Sequence, residues 1–169
     1  MHEVLYNYKM STNNQVIDLT YLESIADGDS EIVKELIIIF LDQIDEFTGG
    51  LRNYFEAGDW RGIAALAHKA KSSVISMGMA ELGNHDLKNL ELIAKFFTID
   101  ELQNKGKLSD KEEDELNLLK RNLSGYPETR QSWVVENASK ETVYNIINKF
   151  DDICQQAGNE LRNFLENKL

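Results

Sequence analysis

A single proline, Pro127, stands in this chain of 169 residues, where average usage would place roughly eight. Proline ends helices and presets turns, and a sandwich or barrel needs a turn every ~8–12 residues. Only ten glycines accompany it. So few turn residues make long helices the economical architecture. A chain of this length removes about 70% of its unfolded surface from water, so it needs no disulfide or metal to hold it. The expectation is an all-α domain.

The apolar pattern agrees. After a lead at 1–14 without periodicity, Val16, Ile17, Leu19, Leu22, Ile25 and Ala26 predict one short helix stopped by Gly28. Asp29 or Ser30 caps the next, where Ile32, Val33, Leu36, Ile37, Phe40, Leu41, Ile44, Phe47 and Leu51 recur at steps of three and four. Ile38 and Ile39 fall off that stripe, which predicts cover on more than one side. Gly58-Asp59 ends this helix and opens a third, at about 60–78. A fourth is expected at about 80–97, and the last at about 139–169 carries the cleanest stripe, from Val143 to Leu165. Residues 15–169 thus read as a single domain, an up-and-down bundle. A partly helical insertion at about 98–138 interrupts it before the last helix. In the insertion, Thr98-x-x-Glu101 and Ser109-x-x-Glu112 both have capping-box spacing. Leu116, Leu119 and Leu123 form a thin stripe before Ser124-Gly125-Tyr126-Pro127 breaks it.

Eighteen basic against 29 acidic side chains leave a formal charge of −11. That field repels phosphate backbones and anionic lipid, so neither nucleic acid nor membrane is the expected partner. The longest apolar run, Leu36 to Leu41, is far below the ~20 residues that span a bilayer. The first residues lack a basic stretch followed by an apolar core, and the lone Cys154 fits a reducing compartment. A cytoplasmic location follows as the expectation. No phosphate-cradling glycine loop, HExxH, paired CxxC or G-x-S-x-G occurs. His2, His68, His85 and Cys154 are too scattered for a zinc site, so no metal is expected on this chain. The acidic run 110–115 lacks the features of a calcium loop.

His68 stands apart. On a helical wheel Ile63, Leu66, Ala67, Ala70, Val74 and Met77 form the core stripe of the third helix, and His68 lies roughly 155° from its centre. Arg61, Ala64, Ala65, Lys71, Ser72, Ile75 and Met79 share its face. The two alanines leave the imidazole unshielded, while Lys71 at i+3 and Ser72 at i+4 can reach a group attached to the ring. Ile75 and Met79 are apolar on a face that should be wet, so they are expected to form a docking rim for a partner. Arg61, Lys69 and Lys71 against Asp59 make this segment positive within an acidic chain. Neutral imidazole is a competent nucleophile near pH 7, and an adjacent lysine would ease a phosphoryl group on it. His85 sits at a polar helix start and reads as an idle surface residue. Cys154 reads as a small buried hydrophobe, and Trp60 as a packing anchor.

The run Ala67-His68-Lys69-Ala70-Lys71-Ser72-Ser73-Val74-Ile75-Ser76-Met77-Gly78 resembles the signature of the histidine-containing phosphotransfer (HPt) domains, roughly A-H-x-L-K-G-S-S-x-x-L-G. Asp59 precedes it and Leu87-Lys88-Asn89-Leu90-Glu91 follows, similar to the family's L-x-x-L-E. The resemblance covers about 15–97 and, by position, the final helix. The chain departs from the pattern with Ser72 at the usual glycine, Ala70 at the usual leucine and Val74 at a serine or alanine. The resemblance implies an up-and-down four-helix bundle that carries a phosphoryl group reversibly on His68, with Lys71 stabilising the phosphate and Ser72 near it. Arg61, Ala64, Ala65, Lys69, Ile75 and Met79 would meet the partner. The implied partners are response-regulator receiver domains and a hybrid sensor histidine kinase. Mg²⁺ and the catalytic acids belong to the receiver, so this chain binds no cofactor and has no ATP-dependent kinase activity. Two readings compete with it: a binding module that docks a receiver or other signalling protein without transfer, and a helical enzyme using His68 as general base.

Overall fold

A computed structural model describes residues 15–168, and the lead at 1–14 lies outside the described residues. All secondary structure among them is helical: α1 (Thr20–Ile25), α2 (Ser30–Ala57), α3 (Trp60–Ser76), α4 (Lys88–Asn104), α5 (Asp110–Ser124), α6 (Glu128–Asn137) and α7 (Lys140–Lys168). A π-helical turn at Leu82–Leu87 runs directly into α4.

The local chemistry sets these limits. Val16 and Ile17 are not helical, because their N–H groups donate to the Glu160 carboxylate of α7 at 3.1 Å, while Asp18 N–H donates to the Met77 carbonyl at 3.0 Å. Asp18 then accepts from the Thr20 N–H at 2.9 Å and starts α1, four residues later than the apolar pattern suggests. The Asp29 side chain caps α2, and Gly58 ends it in the left-handed region at φ 66°. Asp59 caps α3 by accepting from Gly62 N–H at 2.8 Å. Glycine lets α2 and α3 approach closely: a Cβ at Gly50 would displace the Leu66 side chain, and one at Gly62 the Tyr54 ring.

α3 packs between α2 and α4, α2 also lies along α7, and α5 and α6 both rest on α4. One core runs through α2, α3, α4 and α7 around Phe40, Phe47, Ile63, Leu87, Leu90 and Phe150, all essentially dry. An ion pair ties its edge, the exposed Lys149 of α7 donating to the buried Asp86 carboxylate at 2.8 Å. Cys154 is buried there, and burial pushes its thiol up to about 12.

Three expectations about the elements need correction. α4 continues to Asn104, with Thr98, Ile99 and Leu102 buried, so the first residues of the supposed insertion belong to the core helix. Thr98 is no cap: its hydroxyl donates to the Ala94 carbonyl one turn back at 3.1 Å. The Ser109–Glu112 capping box does form. α6 carries only one buried residue, Val134, and so left no periodic trace. Ile38 and Ile39 remain 42% and 52% exposed, outside the buried stripe of α2 that runs from Val33 to Leu51.

Candidate functional site

Asp59 and Gly62 fix where α3 begins, and its core stripe fixes its rotation, since Ile63, Ala67, Ala70 and Val74 are fully buried. His68 therefore points outward, with its side chain 67% exposed. It opens into a cleft of about 490 Å³ walled by three helices. Arg61, Ala64 and Ala65 line it from α3; Glu91, Lys95 and Thr98 from α4; Glu115 and Leu119 from α5. Ala64 is buried in the floor, and Ala65 is exposed. The small side chains leave the imidazole unobstructed.

The imidazole does have a partner. His68 Nδ1 lies 3.4 Å from Glu91 Oε2, and Glu91 is 2% exposed. Lys95 Nζ donates to Glu91 Oε1 at 2.7 Å, and Lys88 Nζ to Oε2 at 3.4 Å. Burial alone would push the Glu91 carboxyl up. The Lys95 hydrogen bond, with the charges of Lys95, Lys88 and His68, outweighs burial and holds it below the ordinary glutamate range. An ionised carboxylate can only accept, so a hydrogen bond between the two places the ring proton on Nδ1 and leaves the lone pair of the neutral ring on Nε2.

The mouth of the cleft is clamped. Arg61 donates to Glu115 from Nε at 2.6 Å and from Nη2 at 3.0 Å, and lies 3.8 Å from Glu101. The Glu115 hydrogen bond holds the Arg61 guanidinium above its usual range. This fork joins α3 to α5, which has no buried residue of its own.

The residues expected around His68 divide. Arg61, Ala64 and Ala65 lie with it in the cleft; the others do not. Lys69 turns to α2, with Nζ 2.6 Å from Glu46 and 5.9 Å above the Phe47 ring. Ser72 is exposed, and its hydroxyl donates to the Lys69 carbonyl at 3.4 Å. Lys71 is half-buried outside the cleft. The apolar rim expected at Ile75 and Met79 is not an open face of α3. Ile75 is half-buried against the π-turn, where a Cβ on Gly83 would strike it. Met79 is 5% exposed. α3 ends at Ser76 and Gly78, at φ 87°, turns the chain, so the helical wheel no longer describes position 79.

Glu91, Lys88 and Lys95 were missed as members of the site, although their spacing of three and four puts them on one face of α4. A charged row on a helix otherwise rich in leucine and isoleucine was the available signal. His85 lies apart, 3.6 Å from Asp86 and 3.8 Å from Glu81. Among the described residues no cluster of three or more His, Cys, Asp or Glu could hold a metal, and no helix is long and apolar enough to cross a membrane. No family model, curated protein or solved structure matches this chain.

Proposed function

We propose that the chain is a histidine phosphotransfer protein of a multistep phosphorelay, carrying a phosphoryl group on His68 between receiver-domain aspartates. On this reading α2, α3, α4 and α7 form an HPt-like four-helix bundle, and α5 and α6 are additions to it. The observation that carries the reading is the state of one ring. His68 is solvent-facing on α3, its Nδ1 lies 3.4 Å from the buried Glu91 carboxylate, and the residue lines a cleft floored by alanine.

The chemistry follows from that ring. The Nε2 lone pair attacks the phosphorus of the partner's aspartyl phosphate. The Nε2–P bond forms, the acyl O–P bond breaks, and the aspartate carboxylate leaves with the electron pair. Nδ1 keeps its proton, so the ring becomes a phosphorylated imidazolium whose positive charge lies against Glu91. No base on this chain is needed. The reverse step returns the phosphoryl group to an aspartate. Mg²⁺ and the acidic residues that hold it would sit on the receiver, and the location would be cytoplasmic. The competing reading, docking without transfer, draws support from α5 standing at one wall of the cleft.

Incubation with a phosphorylated receiver and Mg²⁺ tests the two readings. An acid-labile, base-stable label on His68 is expected, abolished in His68→Gln and kept in His85→Gln. No γ-phosphate should enter from ATP alone. A receiver that binds while the chain stays unlabelled would establish the binding module instead.

A further inference from the structure

Four charged groups line the cleft with His68, Arg61 on its own helix, Glu91 and Lys95 on α4 and Glu115 on α5, and two more bind them from beside it, Lys88 to Glu91 and Glu101 to Arg61. Their charges sum to zero but are unevenly distributed, with two carboxylates on Arg61 and two lysines on Glu91. Arg61 is taken up by the two-pronged contact with Glu115 and by Glu101. Glu91 bears one negative charge against two lysines, so its end of the cleft carries one positive charge that Glu91 does not match. Lys88 is pinned, since its ammonium also lies 4.8 Å above the Tyr126 ring. Lys95 lines the cleft itself, at the end of a flexible four-carbon stem.

From this imbalance, and resting on the phosphocarrier reading, we infer that Lys95, not Lys71, is the cation that receives the phosphoryl group on His68, by exchanging its partner Glu91 for the phosphoryl oxygens. The exchange balances. Transfer to Nε2 turns a neutral ring into an imidazolium and brings a dianionic phosphoryl group beside it. Glu91 then has a full positive charge on Nδ1–H at its side and no longer depends on Lys95. The released Lys95 ammonium is a cation already lining the cleft. No proton moves within the cluster, and only hydrogen-bond partners change. Lys71, three residues from His68 on the same helix, lies outside this cleft.

The test reads an equilibrium, because how well two partners dock cannot change how a phosphoryl group divides between them once equilibrated. The full chain, as wild type, Lys95→Gln, Lys95→Arg and Lys71→Gln, is mixed with a phosphorylated receiver and Mg²⁺, and the label on His68 and on the receiver is counted. Lys95→Gln is expected to shift the division about 3- to 10-fold towards the receiver, the range for a charge-assisted contact that is partly screened. Lys95→Arg should restore most of the wild-type ratio, which a purely structural role would not require. Circular dichroism checks that each variant folds, and Lys95→Met, which keeps the stem, replaces Lys95→Gln if that variant does not. A wild-type ratio in the Lys95 variants, with wild type itself labelled, overturns the inference and leaves the phosphocarrier reading standing. A shift in Lys71→Gln with none at Lys95 assigns the cation to Lys71 and overturns it equally. A wild type that takes no label from the receiver or from phosphoramidate refutes the reading, and the inference with it.

Discussion

Replacing Glu91 with glutamine keeps the shape of a buried side chain and removes its charge. In the wild type that charge, 2% exposed, serves Lys95 at 2.7 Å and Lys88 at 3.4 Å. The variant leaves both ammonium groups facing an amide. Breaking a fully buried ion pair costs about 3–5 kcal/mol. Here the lysine side chains are 16% and 21% exposed and can turn partly to water, so the expected cost is about 2–3 kcal/mol. At roughly 2–4 °C per kcal/mol for a domain of this size, the melting temperature should fall by about 5–10 °C at pH 7. The pH dependence has a defined sign. The folded Glu91 carboxyl titrates below its ordinary 4.5, so its contribution is fully present above that value and is lost as pH falls through the lower, folded one. The gap between wild type and Glu91→Gln should therefore be constant near neutrality and close in acid, below about pH 4.5. Differential scanning calorimetry of both proteins across that range is the assay. The double variant Glu91→Gln/Lys95→Gln restores the cluster's excess to one positive charge and should recover part of the loss. If Glu91→Gln melts with the wild type at pH 7, or if the gap does not narrow in acid, Glu91 is not the charged centre described above.

Gly78→Ala should destabilise by at least about 2–3 kcal/mol, since the residue sits at φ 87° and a Cβ there would meet the Asp18 backbone; the urea midpoint measures it. Leu102→Ala should cost about 2–4 kcal/mol, because Leu102 is 3% exposed on the extended part of α4. A loss no larger than that of a surface site would mean this end of α4 is not core. Arg61→Ala removes exposed ion pairs and should lower global stability by no more than about 1 kcal/mol. Its amide exchange signature should be local, with α5 losing protection while α2, α3 and α7 keep theirs.

The helices were legible wherever an apolar stripe met a capping residue. Asp29, Asp59 and Ser109 each cap a helix as their spacing predicts. The rotation of α3 was legible for the same reason: four fully buried positions leave His68 only one way to face. What failed depended on other elements. A wheel says which side is apolar but not which neighbour will cover it, so Ile75 reads the same whether a π-turn or a partner packs on it. Ile38 and Ile39 are the converse case, apolar side chains that stay about half exposed. α6 was invisible because tertiary contacts of Val134 and Arg130, not a periodic face, hold it. The second half of the site was missed because Glu91 lies 23 residues from His68 and only the packing of α3 on α4 brings them together.

That packing gives the residues after 97 a part in the site. A helix in a simple bundle keeps one wet face, where Asn89, Glu91, Lys95 and Thr98 would need no partners from the protein. Here α5 and α6 lie on α4, and three of those four side chains are buried. A buried polar group must find a partner or cost the fold dearly. Asn89 is met by Arg130 of α6 at 3.0 Å, Thr98 by the Ala94 carbonyl, and Glu91 by the lysines one turn to either side. The same cover that makes these partnerships necessary supplies Glu115 and Leu119 as the third wall beside His68. Removing 98–138 as a detachable insertion would cut α4 short and re-expose Glu91 to water. Screening would then weaken its hold on the lysines and on Nδ1. The additions are thus coupled to the histidine through the dielectric they create around one carboxylate, and a variant lacking α5 alone should keep the core of α2, α3 and α7 while loosening the contact between Glu91 and His68.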